Sequence, residues 1–206
     1  TLIILFSLNI SAGSLDKLQS GTISEKIETM HEMGYAGNKT GFWYFIKYLN
    51  YESEFADEFS ASNCRQAAAE ALGRIRDERA VPHLVERYKK EKNLSVKRSI
   101  MFAMRFYTDK SMTEAVLDGI TSEDVDLKFQ AILASEKLQD DSLTSAISSQ
   151  YESAKEGEIK ATSAYVLFKK TNSDDYFKHL LSALQDSNPD TRYWTTHYLG
   201  EISAKN

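Results

Sequence analysis

The sequence predicts an all-α protein, a right-handed α-α superhelix (an α-solenoid) assembled from helix pairs. A residue pair ending in a base returns about every 32 residues, as Cys64-Arg65, Val96-Lys97, Leu127-Lys128, Ile159-Lys160 and Thr191-Arg192. Twelve residues after each of the first four bases stands a short polar turn residue: Asp77, Asp109, Asp140 and Asn172. Between these markers apolar residues fall three and four apart, the period of a helix with one buried face. A unit of this length cannot bury its own apolar face, so copies must stack.

Taken in order, residues 1–13 are a different material. Thr1 to Ile10, TLIILFSLNI, is apolar but too short to span a bilayer. It runs into Ser11-Ala12-Gly13, small residues of the kind a signal peptidase cuts after. The expectation is a partial signal peptide over 1–13, with a capping helix as the alternative. Export to the periplasm or medium follows from the first reading, a cytoplasmic location from the second. Residues 14–206 then form the repeat domain, four helix pairs plus a truncated fifth, read as a piece of a longer protein.

Thr22 to Glu25 is a capping-box pattern that opens a helix carrying Ile27, Met30 and Met33. Phe42 to Leu49, FWYFIKYL, is its partner helix, followed by an acidic loop over 52–63. Cys64 to Tyr88 contains the next pair, with Ala68, Leu72 and Ile75 on one helix and Val81, Leu84, Val85 and Tyr88 on the other. Pro82 fits the first turn of the second helix, where a missing N–H costs nothing. Ile100, Ala103, Met104 and Tyr107 mark the following repeat, whose second helix is expected to open on a box at Ser111 to Glu114. Phe129, Ile132 and Leu138 lead to Leu143, Ile147 and Tyr151; Ile159, Ala164, Leu167 and Phe168 lead to Tyr176, Phe177, Leu180, Leu181 and Leu184. Asn188-Pro189-Asp190 starts a last helix: cap, first-turn proline, then an acid favoured by the helix dipole.

The residues Arg65, Ala68, Ala71-Leu72-Gly73, Ile75, Asp77 and Ala80-Val81-Pro82 with Leu84 resemble the HEAT family, specifically the phycobilisome-lyase-type (PBS lyase) HEAT-like repeats. The resemblance covers roughly residues 16–206 and implies HEAT-like helix pairs. It carries no single function, because such repeats serve unrelated tasks.

Net charge is −5, and residues 1–64, with four bases and eight acids, supply −4 of it. An acidic chain lacks the basic face that a general nucleic-acid binder needs, so no nucleic-acid partner is expected. No stable membrane insertion of the mature chain is expected either. The recurring acids and bases read as turn caps and as contacts to helix C-termini. Cys64 is the single cysteine, so an intrachain disulfide is excluded, and it reads as a small packed residue. Four scattered histidines, with one His-Glu pair at His31-Glu32, do not supply the several pairs of HEAT-type di-iron hydroxylases. No metal motif, phosphate loop or nucleophile elbow occurs, so no catalytic residue, metal or cofactor is assigned.

The resemblance implies that second helices line a concave binding face. Aligning repeats gives three rows expected to face outward: Tyr44, His83, Ala115, Ala146 and His179; Lys47, Glu86, Asp118, Ser149 and Ser182; Tyr48, Arg87, Gly119, Gln150 and Ala183. Aromatic and Arg side chains are the usual anchors of protein interfaces; on these rows Tyr44, Lys47, Tyr48, His83, Arg87 and His179 are the candidate partner-binding residues. The expected function is a non-catalytic scaffold for a protein or peptide partner. The alternative is a subunit of a bilin-lyase-type enzyme, or the repeat portion of a larger enzyme.

Overall fold

In the computed structural model, residues 13–52 and 57–204 are described. Among them every regular element is helical, with no strand. The signal expected over 1–13 lies outside the described residues but for Gly13. Residues 13–20 are helical (α1). There follow α2 (Ile23–Tyr35), α3 (Phe42–Leu49), α4 (Glu58–Ile75), α5 (Val81–Lys90), α6 (Leu94–Met104), α7 (Thr113–Ile120), α8 (Val125–Ala134), α9 (Asp141–Ser153), α10 (Gly157–Thr171), α11 (Asp174–Ala183) and α12 (Pro189–Ser203). The chain divides into two compact units, one through Tyr107 and one from Thr108.

In the first unit α4 lies between α2 and α6, while α3 packs on α4 and α5 on α6. The sequence of α4 explains its place. Ala61, Ala67, Ala68, Ala69, Ala71 and Gly73 are all buried, so helices approach it closely from two sides. A Cβ built on Gly34 of α2 would stand 3.0 Å from the Ala71 Cα, and one on Gly73 would stand 2.6 Å from the Ala103 Cα of α6. The repeated glycine is thus a contact point between successive first helices. Two buried tyrosines tie the unit further, Tyr48 Oη donating to the Leu18 carbonyl and Tyr107 Oη to that of Leu72, each at 2.5 Å. In the second unit α7 packs on α8 and α9, α10 on α8, α9, α11 and α12, and α11 on α12.

The recurring turn residues act as caps. Asn38, Asp77 and Asp109 each accept from the N–H two residues on and open a short 3₁₀ turn before α3, α5 and α7. Asp140 does the same at α9. Asn172 differs: it ends α10 in the left-handed region (φ 54°), which asparagine tolerates. The recurring bases meet the preceding repeat in two ways. Arg65 and Arg192 donate to carbonyls after a helix end, Tyr51 and Asp186 with Ser187. Lys97 and Lys160 lie 4.6 and 5.5 Å from the ring centroids of Tyr88 and Tyr151.

Two local expectations need correction. Within the acidic loop expected over 52–63, residues 58–63 are the first turns of α4, because Asp57 accepts from the Ser60 N–H and caps the helix there. No box forms at Ser111; the Asp109 carboxylate takes the Ser111 N–H, and α7 begins a turn later without a side-chain cap. The capping box at Thr22 with Glu25 is present, as are the Asn188 cap and first-turn Pro189.

Candidate partner-binding surface

The apolar stripe of α3 fixes what this helix leaves outside. Phe42, Phe45, Tyr48 and Leu49 are buried at helical spacing, which turns Trp43, Tyr44 and Lys47 off the core. Trp43 is 65% exposed. Its ring stands edge-on to Phe42 (4.9 Å between centroids) and to His83 at the start of α5 (6.5 Å). The Arg79 guanidinium lies 4.4 Å from the Phe42 centroid and 5.9 Å from that of Trp43. Asp77 holds it with a fork of two bonds, 2.9 Å to Nε and 2.7 Å to Nη2. The bond from Arg79 holds the Asp77 carboxyl below its ordinary range. A turn cap therefore doubles as the clamp that fixes an exposed arginine beside an exposed tryptophan.

Tyr44 is half-buried and its hydroxyl donates to Gln19 Oε1 at 3.4 Å, while Lys47 is exposed one turn beyond Trp43. Tyr44 and Lys47 thus lie on α3, whose Trp43 meets His83, while Tyr44 itself turns toward α1. His179 stands in the second unit, half-buried against the Tyr151 ring at 5.2 Å. Burial, with the nearby Lys160, lowers its pKa.

Tyr48 and Arg87 do not face outward. Tyr48 is 2% exposed, and burial pushes its hydroxyl up to about 12. Arg87 is 6% exposed and belongs to a buried ion cluster. Their whole row faces inward, since Gly119 and Ala183 are also buried and Gln150 is half-buried. A helix flanked by a partner helix and by neighbouring repeats buries a wider stripe than one apolar face, so the row beside Leu84 and Tyr88 is covered too. The row of Lys47, Glu86, Asp118, Ser149 and Ser182 is exposed throughout.

The ion cluster centres on Glu91 at the end of α5. Glu91 accepts from Arg65 Nε at 3.0 Å, from Arg87 Nε and Nη2 at 3.0 and 2.7 Å, and from the N–H groups of Lys92 and Asn93. A carboxylate at a helix C-terminus opposes the dipole; two buried guanidiniums offset that. Arg65 also donates to Glu58 Oε1 at 2.5 Å, and Arg87 to Glu52 Oε1 at 3.2 Å. Burial acts to raise the Glu91 pKa, but its bonds to Asn93 and Arg87 and the charges of Arg65 and Arg87 outweigh it and leave the group below the ordinary 4.5. A depressed carboxyl contributes stability that is whole above 4.5 and is lost as pH falls through the folded value. The urea midpoint is therefore expected to drop below about pH 4.5, and Glu91→Gln to flatten part of that drop; other depressed carboxyls, Asp77, Asp109 and Asp140 among them, contribute to the rest. An unchanged acid profile in the variant refutes the assignment.

Cys64 is fully buried, and burial raises its thiol to about 11, so no reactive thiolate forms at neutral pH. Among the described residues no helix is long and apolar enough to cross a membrane.

Residues 53–105, which include the Trp43 partner helix α5 and the Glu91 cluster from Glu58 on, match the HEAT-repeat family model. No protein of curated function is similar in sequence. Among solved structures the chain is similar to the complex of CpcE and CpcF of phycocyanin lyase from Nostoc sp. PCC7120, at a TM-score of 0.75 and 17% identity. The similarity covers 91% of this chain and 74% of that one. Identity at that level speaks for architecture alone. Residues 53–105 carry the HEAT-repeat match, and the fold of the chain is a helical-repeat fold like that seen in that lyase complex.

Proposed function

We propose that this protein is a HEAT-repeat scaffold that captures a protein or peptide on the surface formed by α3 and the start of α5. The observation that carries the reading is Trp43, exposed yet held edge-on against His83 beside a clamped Arg79. Exposed tryptophan and arginine of fixed geometry are the usual anchors of protein interfaces, because little side-chain entropy remains to be lost on binding. Tyr44 and Lys47 extend the surface along α3.

Trp43→Ala is expected to weaken capture by about 2 kcal/mol, roughly thirtyfold in Kd. Ser149→Ala and Ser182→Ala, in the exposed row of the other unit, are the controls. The measurement is a pull-down from the native source with wild type and each variant, then titration of the identified partner. Equal affinity of wild type and Trp43→Ala removes this surface from consideration.

A second reading rests on the solved neighbour, a complex of two phycocyanin-lyase proteins. On it the chain is one subunit of a lyase-type assembly and the surface meets a subunit. Visible absorbance after mixing with bilins, alone and with the captured partner, separates the two: a new band favours the lyase reading.

A further inference from the structure

Beside the ion cluster lies a solvent-open polar cavity of about 540 Å³. Its lining places four cations, Arg65, Arg87, Lys90 and Lys92, around one buried carboxylate, Glu91. Two further carboxylates complete the wall, and they are of another kind. The side chains of Glu52 and Glu58 are 80% and 68% exposed, whereas those of Arg65, Arg87 and Glu91 are 3%, 7% and 3% exposed.

The two classes have different strengths. Arg65 is fixed by Glu91 and by the Tyr51 carbonyl, and Arg87 by Glu91 through two N–H groups. Each arginine stays in place when the exposed glutamate leaves. Each then presents an N–H already desolvated and aimed at a carboxylate oxygen, Arg65 Nη2 toward the position of Glu58 Oε1 and Arg87 Nη1 toward that of Glu52 Oε1. Glu52 and Glu58 are exposed, and each arginine keeps Glu91 when its outer glutamate leaves, so displacing these two costs less than removing Glu91. A preorganised guanidinium pair binds carboxylates well, because the direction of each outward N–H is set in advance.

We propose that Arg65 and Arg87 form a receptor site for paired carboxylates of an acidic peptide, which Glu52 and Glu58 of the same chain now occupy. The occupants themselves identify the ligand class: two glutamates of one chain, six residues apart, reach both arginines. Lys92, and Lys90 with its partner Glu86 at 2.6 Å, stand on the wall of the same cavity. The site is separate from the Trp43 surface, and failure here leaves that reading standing.

The test is calorimetric titration with an acetylated, amidated hexaglutamate peptide at low salt, with glutarate as the small-molecule arm. Wild type is compared with Glu52→Ala/Glu58→Ala and with Glu28→Ala/Glu32→Ala, which changes net charge equally at exposed positions of α2. The first double variant is expected to bind the peptide about tenfold more tightly than wild type, and the second to match wild type. Adding Lys90→Ala and Lys92→Ala to the first is expected to reverse most of the gain. Arg87→Lys in the same background, checked for folding by circular dichroism, is expected to abolish it, since a lysine keeps the charge but cannot hold Glu91 with two N–H groups while aiming a third outward. Equal gains in both double variants mean a net-charge effect and overturn the site. No gain in the first, or a gain that survives Arg87→Lys, overturns it as well. Glutarate bound as tightly as the peptide overturns the assignment to a peptide.

Discussion

Glu91→Ala is expected to destabilise the first unit by about 3–5 kcal/mol, the cost of leaving buried charge without its partner. Glu91 accepts from both Arg65 and Arg87 and from two backbone N–H groups, so one truncation removes six bonds. Arg65 would keep Glu58 and the Tyr51 carbonyl, and Arg87 would keep Glu52, but the Nε groups of both would face the vacancy. The contrast lies in the other two carboxylates. Glu52→Ala and Glu58→Ala remove pairs with an exposed partner, and each is expected to cost under about 1 kcal/mol. Urea unfolding followed by circular dichroism measures all three. A Glu91→Ala loss no larger than that of Glu58→Ala refutes the central role of Glu91. The comparison also bears on the proposed receptor site, which needs strong fixation behind the arginines and weak occupation in front.

The helix pairs and their turns are legible in the sequence, because the signals concerned are local. A carboxylate or carboxamide oxygen two residues before a backbone N–H caps a turn wherever it stands, and Asn38, Asp77, Asp109 and Asp140 all do so. Where two local signals compete, the sequence does not rank them. Ser111 and Asp109 both suit a helix start, and Asp109 takes the bond because it lies where the turn begins. The surface is less legible, since facing depends on neighbours that a single helix does not encode. Arg87 has the residue type of an interface anchor, yet it is buried on a partner 26 residues from Arg65 in sequence, Glu91. Trp43 is the reverse case. It sits within the apolar run FWYFIKYL, where Phe42, Phe45, Tyr48 and Leu49 already complete the buried stripe at helical spacing. Strict application of that spacing places Trp43 outside; residue type alone does not.

The glycine of the repeat supplies the second large effect. A Cβ on Gly73 would stand 2.6 Å from the Ala103 Cα and 2.9 Å from its Cβ, so α4 and α6 must separate to admit any side chain. Both contact atoms belong to a helix, and neither can rotate away. Overpacking of this kind costs about 1–3 kcal/mol for a small addition. Gly73→Ala is expected within that range, and Gly73→Val at about 3 kcal/mol or above, because branching adds two carbons to the same gap. Intrinsic propensity argues the other way, since alanine is favoured over glycine in a helix by about 1 kcal/mol. Gly200 tests which effect governs. It lies in α12 at an exposed position, and a Cβ there would meet nothing within 4 Å. Gly200→Ala is therefore expected to stabilise by up to about 1 kcal/mol, the sign opposite to Gly73→Ala. Thermal melts of the two variants decide the matter. If both rise together, helix propensity dominates and the close approach of α4 to α6 is not a constraint on the repeat.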